Sequence, residues 1–131
     1  MAIAARGVPR CGVCHEPLPW IVDADAQAFD AAIDASLPVL VDFWAEWCGP
    51  CRMVDPIVER LGRDLAGRLK VVKLNVDQAP DIAARYGAQS IPLLVLFRDG
   101  EEADRLVGAA PESKLRQWLQ PHLPAERAAT S

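Results

Sequence analysis

The sequence predicts an α/β fold in which a central mixed β-sheet carries helices on both faces. Strand and helix patterns alternate along most of the 131 residues, which is typical of parallel sheets with crossover helices. The run at 38–44 is nearly all apolar, as expected of a central strand covered on both faces. The Asp99-Gly100 turn signal lies between two later strand patterns and predicts an antiparallel hairpin.

The predicted domain begins with a short strand and a helix. Trp20-Ile21-Val22 is the strand candidate. Asp23 or Asp25 can cap the helix that follows, because a carboxylate accepts hydrogen bonds from the free N–H groups of a first turn. Phe29 and Ile33 are then expected on the apolar face of this helix.

The central strand is predicted over Pro38 to Trp44, followed by a helix from about Cys48 to Leu65. Four apolar side chains are expected to form the core-facing stripe of that helix: Met53, Ile57, Val58 and Leu61. Five more segments complete a β-α-β-α-β-α-β-β-α order: a strand at 69–76, a short helix at 81–86, strands at 93–97 and 102–107, and a helix at 111–120.

Length and composition suit one globular domain of ordinary size. Apolar residues make up 51% of the chain and charged residues 24%, a balance that argues against disorder. Fourteen Lys and Arg residues against eighteen Asp and Glu residues give a net charge of −4. No basic cluster indicates nucleic acid or an anionic membrane, so we expect neither as a partner.

The sequence also predicts a cytoplasmic location. No apolar stretch approaches the roughly 18 residues that span a bilayer. Arg6 and Arg10 interrupt the apolar N-terminus, so no signal-peptide core is found there. The four cysteines form two Cys-x-x-Cys pairs, which in the cytoplasm fit redox or metal chemistry better than structural disulfides.

The chain divides into two predicted parts. Residues 1–19 hold Cys11, Cys14 and three prolines without a strand or helix period, and we interpret them as a leader or small appended element. The domain is expected to cover 20–131, with a frayed tail from Pro121.

The tract Trp47-Cys48-Gly49-Pro50-Cys51 comes directly after the central strand. Cysteines at i and i+3 on a first helical turn are close enough to form a disulfide. The free N–H groups and positive dipole end of that turn favour a thiolate on Cys48. Cys51 can then resolve a mixed disulfide. The tract therefore predicts a dithiol–disulfide exchange site, although bare Cys-x-x-Cys spacing also occurs in zinc sites.

With the preceding Val41-Asp42-Phe43-Trp44-Ala45, this tract resembles the thioredoxin family, and the resemblance covers about residues 20–120. It implies the thioredoxin fold and a general protein disulfide reductase acting through Cys48 and Cys51. It also implies disulfide-bearing protein substrates, regeneration by an NADPH-dependent, flavin-containing thioredoxin reductase, and no required cofactor.

Asp42 interrupts the apolar run of the central strand. Burial there should raise the pKa of its carboxyl group, and an acid near Cys51 could exchange a proton with the thiol. The resemblance implies this catalytic role for Asp42 and makes Lys73, on the next strand, its natural charge partner. The alternatives are a structural Asp42 paired by backbone or lysine, and a Lys73 exposed on a strand edge.

A third signature is Ser90-Ile91-Pro92, which precedes an apolar strand and indicates a strand start. The resemblance implies a cis Ile91–Pro92 bond that faces the cysteines and exposes backbone for pairing with an extended substrate. Trp47 is expected to line this groove with Ile91, Gly108 and Ala109, whereas Trp44 is expected to pack internally. The predicted substrate-binding residues are Trp47, Gly49, Pro50, Ile91, Pro92 and Gly108.

The pair Cys11 and Cys14 resembles half of the zinc ribbon that some bacterial thioredoxins carry ahead of the domain. Structural zinc takes four protein ligands, whereas Cys11, Cys14 and His15 supply two or three. A remnant or flexible leader and a zinc site shared between two chains are alternatives. We expect little or no tightly bound zinc in the monomer. The same residues match a haem attachment pattern, which would require export and an axial ligand.

Two other functions compete with the reductase. A thioredoxin-fold adaptor could use the N-terminal cysteines as a metal-held contact, but it would have no need to keep Cys48, Cys51, Asp42 and Pro92 together. A disulfide isomerase or oxidase is opposed by Gly49-Pro50 between the cysteines and by the lack of an export signal.

Overall fold

The computed structural model describes residues 18–124, and within them the predicted α/β fold is confirmed. One mixed sheet has the strand order β1-β3-β2-β4-β5. Its strands are β1 (Ile21–Asp23), β2 (Val39–Trp44), β3 (Lys70–Asn75), β4 (Leu93–Arg98) and β5 (Glu101–Val107). The helices are α1 (Phe29–Ile33), α2 (Gly49–Asp64), α3 (Pro80–Arg85) and α4 (Glu112–Leu119), followed by a 3-10 turn at Gln120–His122.

Strand pairing explains why β2 is so apolar. It lies between β3, which runs parallel to it, and β4, which runs antiparallel. Strands β4 and β5 form the predicted hairpin. Asp99 and Gly100 at its turn have φ angles of 54° and 80°, the left-handed conformation that tight hairpin turns require.

Helices cover both faces of the sheet. Alternate strand residues enter two apolar clusters, because successive side chains point to opposite faces. One cluster packs α1 and α3 through Phe29, Ile33 and Ile82. The other packs α2 and α4 through residues that include Val58 and Leu115.

The predicted boundaries of the strands and helices agree with the observed ones to within one or two residues. The predicted core-facing stripe of α2 is wrong at one position. Met53 is exposed, and its neighbour Val54 is buried with Val58 and Leu61. The observed spacing of four and three residues keeps these side chains on one helix face. Ile57 packs only partly against the same cluster.

Trp20, where the domain is predicted to begin, is buried beneath the ammonium group of Lys70, which lies 4.4 Å from the ring centroid. Lys70 Nζ also donates to the Ala32 carbonyl at 2.7 Å, which gives the buried cation an acceptor. Asp25 accepts from the Ala28 N–H at 2.8 Å just ahead of α1. At the other end, Leu123 packs against the cluster under α2 and α4.

Residues 1–17 of the predicted leader, with Cys11, Cys14 and His15, lie outside the described part of the chain. Residues 125–131 of the predicted tail also lie outside it. No helix between residues 18 and 124 is long and apolar enough to cross a membrane.

Candidate active site

Cys48 and Cys51 form a disulfide at the start of α2, with Cα atoms 5.3 Å apart. Cys48 is the N-cap residue, and its sulfur accepts from the Cys51 N–H at 3.2 Å. Pro50 occupies the first turn, where its missing N–H removes no helical hydrogen bond. The helix terminus therefore presents the Cys51 N–H group and a positive dipole end to the Cys48 sulfur.

The structure brings Ile91 beside this disulfide, with Pro92 and Gly108 next to it. The Ile91–Pro92 peptide bond is cis, and the Ile91 carbonyl oxygen lies 3.8 Å from Cys48 Sγ. Gly108 donates its N–H to the Pro92 carbonyl at 2.8 Å and has a φ of 90°, a conformation that glycine adopts without strain. The Ile91 backbone thus borders the cysteine that caps the helix, and Gly108 bonds the residue that follows Ile91.

Trp47 stands beside the disulfide as an exposed side chain, with 69% of its surface accessible. Its indole Nε1 donates to Asp77 Oδ2 at 2.8 Å. Asp77 is itself held by a bond from its N–H to Asn75 Oδ1 at 2.9 Å. These two polar residues, one at the end of β3 and one just after it, fix the ring while leaving its apolar surface open, a function that sequence reasoning missed.

Trp44 has a different environment from Trp47. It is half-buried and packs against the cluster formed by Ala45, Cys48 and Cys51. Its indole Nε1 is buried and has no hydrogen-bond partner among the described residues. Trp44 therefore forms part of the packed wall of the site.

Asp42 is buried in the sheet beneath α2, with 1% of its surface accessible. Its Oδ1 atom has no hydrogen-bond partner among the described residues. Burial raises the pKa of the Asp42 carboxyl from 3.8 to about 7; the negative charge of Asp55 adds to this rise, and Lys73 opposes it. The carboxyl group can therefore both bind and release a proton near neutral pH.

The expected pairing of Lys73 with Asp42 is corrected by the structure. Lys73 lies opposite Asp42 in the β2–β3 register, but its Nζ atom bonds Asp55 Oδ1 and Glu59 Oε2, each at 2.5 Å. Although burial lowers the pKa of Lys73, the bonds to these two carboxylates raise it overall. The ammonium group reaches carboxylates that are still partly hydrated, which is less costly than pairing inside the sheet. Since β3 lies between β1 and β2, Lys73 is also not on a strand edge.

A cavity of about 320 Å³ borders Cys51 and the Lys73–Asp55 ion pair. Its lining residues are Asp23, Trp44, Ala45, Glu46, Cys51, Arg52, Asp55 and Lys73. This volume has room for several waters with polar partners. The cavity therefore lies between Cys51 and the ion pair that α2 makes with Lys73.

Asp55 and Glu59 are further site residues that the sequence reasoning missed. They lie four residues apart on one face of α2. This spacing is the sequence pattern from which the pair could have been identified. Among residues 18–124, no group of three or more His, Cys, Asp or Glu side chains could hold a metal ion.

The thioredoxin family model matches residues 19–121. Thioredoxin 1 from Nostoc sp. is 47% identical over 107 residues, which cover 78% of this chain and all of the relative. Thioredoxin 1 from Synechococcus elongatus is 48% identical over 99 residues, covering 76% of this chain and 92% of the relative. Thioredoxin from Rickettsia felis is 46% identical over 95 residues, which cover 72% of this chain and 90% of the relative. The matched region contains the fold and both cysteines at the start of α2.

Proposed function

The chain belongs to the thioredoxin family, and we propose here which role each residue of its site has in the reaction. The protein is a disulfide reductase that acts by dithiol–disulfide exchange through Cys48 and Cys51. The observation that carries this function is the disulfide between these two residues at a helix N-terminus. The roles of the individual residues, the substrate-binding surface and the partners are our proposal.

Cys48 is the attacking cysteine. In the reduced protein its thiolate attacks one sulfur of a substrate disulfide, breaks that S–S bond and forms a mixed disulfide. The other substrate sulfur leaves as a thiolate and takes a proton from solvent. The N-cap position and the N–H of Cys51 support this role, because both stabilise negative charge on sulfur.

Cys51 is the resolving cysteine, and Asp42 is the group that takes its proton. The Cys51 thiolate then attacks Cys48 Sγ, forms the disulfide seen here and releases the second substrate sulfur. Two electrons pass from the cysteine pair to the substrate. A carboxyl pKa of about 7 supports the proposed role of Asp42, because a base is most effective when its pKa lies near the working pH.

Substrates bind along the surface formed by Trp47, Gly49, Pro50, Ile91, Pro92 and Gly108. The exposed ring of Trp47 provides apolar contact. The backbone of Ile91, next to Cys48 Sγ, provides main-chain pairing for an extended segment. Main-chain bonds depend little on side-chain identity, which suits a reductase that accepts many proteins.

We assign regeneration to an NADPH-dependent thioredoxin reductase and the protein to the cytoplasm. The reaction of the domain itself requires no cofactor, because the cysteines carry both electrons. A role for zinc at Cys11 and Cys14 stays a separate expectation, since these residues lie outside the described part of the chain.

The test is reduction of a model protein disulfide such as insulin, monitored by turbidity. Dithiothreitol with the protein should reduce insulin faster than dithiothreitol alone. NADPH oxidation should require the protein, insulin and a thioredoxin reductase together. Turnover with dithiothreitol but none with any reductase would contradict the assigned partner, and no acceleration in either assay would contradict the activity.

A further inference from the structure

We propose that Asp55 is a positioning residue of the redox site: its carboxylate holds Lys73 against α2 and so leaves Asp42 without a bonded cation and able to carry a proton. This inference rests on the proposed role of Asp42 as the proton acceptor for Cys51. It assigns to Asp55 a function that neither the cysteine motif nor the strand pattern predicts.

The register of the sheet places Asp42 and Lys73 side by side. They are direct neighbours on the parallel strands β2 and β3, which lie about 4.8 Å apart. Their side chains therefore leave the sheet on the same face, beneath α2. A lysine beside a buried carboxylate is its natural partner, and a bond between them would hold Asp42 in its charged form.

The ammonium group of Lys73 is bonded to α2 instead. Lys73 has only 11% of its side chain accessible, and its ammonium group bonds Asp55 and Glu59 on α2. Two carboxylates compensate most of the cost of removing the ammonium from water. Asp42 Oδ1 is left without a hydrogen-bond partner among the described residues.

Charged and titratable groups from several elements line the cavity beside Lys73, the neighbour of Asp42 in the sheet. Helix α2 contributes Cys51, Arg52 and Asp55, the segment before it contributes Glu46, and β1 contributes Asp23. On the β4 side the neighbour of Asp42 is the apolar Leu94. The guanidinium of Arg52 is bonded to the Glu46 carbonyl.

Asp55 and Glu59 both bond Lys73, but they differ in their relation to Asp42. Asp55 lines the cavity with Cys51 and Lys73, and its charge raises the pKa of Asp42. Glu59 is not among the residues that line that cavity. Asp55 is therefore the carboxylate that links the position of Lys73 to the protonation of Asp42.

The test compares Asp55→Asn with Glu59→Gln, which removes the other carboxylate bonded to Lys73. Half of the Asp55 side chain is exposed, so Asp55→Asn should fold. The pKa of Asp42 is measured by NMR of its ¹³C-labelled carboxyl carbon in the oxidised and reduced full-length protein. The pH dependence of kcat/KM for insulin reduction is measured on the same variants.

We expect Asp55→Asn to lower the pKa of Asp42 by on the order of one unit, because it removes a nearby negative charge and frees Lys73 to approach. The acidic limb of the rate profile should move to lower pH by a similar amount. Glu59→Gln should shift the pKa of Asp42 and the acidic limb of the rate profile by less than half as much as Asp55→Asn does. Asp55→Glu, which keeps the charge, should restore the values of the unmodified protein.

Three results separate this inference from the proposed function. An unchanged Asp42 pKa in Asp55→Asn would overturn the role of Asp55, whatever the rate profile shows. An equal shift in Glu59→Gln would overturn it as well, because the effect would then belong to either carboxylate. A shifted Asp42 pKa with an unchanged rate profile would support Asp55 as the residue that sets Asp42 and contradict Asp42 as the proton acceptor.

Discussion

Replacing Asp42 by alanine should stabilise the protein at pH 8.5 and have almost no effect on its stability at pH 5. The carboxyl group has a pKa of about 7 in the folded chain against an ordinary 3.8. The folded state therefore binds more protons than the unfolded state between these values. The stability that this proton contributes is fully present below pH 3.8 and is lost as the pH rises to about 7.

The magnitude is set by the difference between the two pKa values. About three pKa units at roughly 1.4 kcal/mol each correspond to about 4 kcal/mol of lost stability above pH 7. Removing the buried side chain costs about 1–2 kcal/mol in packing. Asp42→Ala should therefore be more stable by about 2–3 kcal/mol at pH 8.5, raising Tm by roughly 10 °C, and nearly unchanged at pH 5.

The assay is urea unfolding of the oxidised protein at pH 5 and pH 8.5, monitored by far-UV circular dichroism. Asp81→Ala, which removes an exposed carboxylate from α3, is the matched control and should show little change at either pH. A stability difference for Asp42→Ala that is the same at both pH values would refute the reasoning. It would show that the Asp42 carboxyl titrates near its ordinary range.

Three further predictions concern the cysteines, Lys73 and the N-terminal segment. Cys48→Ser should abolish insulin reduction, and iodoacetamide should label Cys48 of the reduced protein faster than Cys51 at pH 7, because the helix terminus stabilises its thiolate; faster labelling of Cys51 would reverse the two roles. Lys73→Met should raise the pKa of Asp42 and move the acidic limb of the rate profile to higher pH, because it removes the cation that opposes the rise; an unmoved profile would contradict this. Deleting residues 1–19 should leave reductase activity unchanged, and the purified full-length monomer should contain little zinc; stoichiometric zinc that survives dialysis against a mild chelator would contradict that expectation.

Much of the fold was predictable because its signals are local. The nearly continuous apolar run of β2 indicates a buried central strand, and Asp99-Gly100 indicates the hairpin between β4 and β5. The exposure of Met53 was not predictable in the same way. Which face of an amphipathic helix meets the sheet depends on tertiary docking, so a stripe estimated from sequence can be displaced by one residue.

The site was predictable where one short tract carries the chemistry and not where distant residues meet. Cys48 and Cys51 are recognisable from their spacing and their place after β2. The bond from Trp47 to Asp77 joins residues thirty positions apart, and no pattern in the sequence indicates it. The partners of Lys73 could not be chosen from sequence, because Asp42 and the α2 carboxylates are all within reach of a long, flexible side chain.

The proposed mechanism depends above all on the order of the two cysteines, with Cys48 attacking the substrate disulfide and Cys51 completing the exchange. The most direct measurement is peptide mapping by mass spectrometry of Cys51→Ser after incubation with a disulfide-containing protein. A mixed disulfide should accumulate on Cys48 and disappear on addition of dithiothreitol, because the variant lacks the thiol that resolves it. A mixed disulfide formed only when Cys51 is retained and Cys48 is replaced would contradict this order.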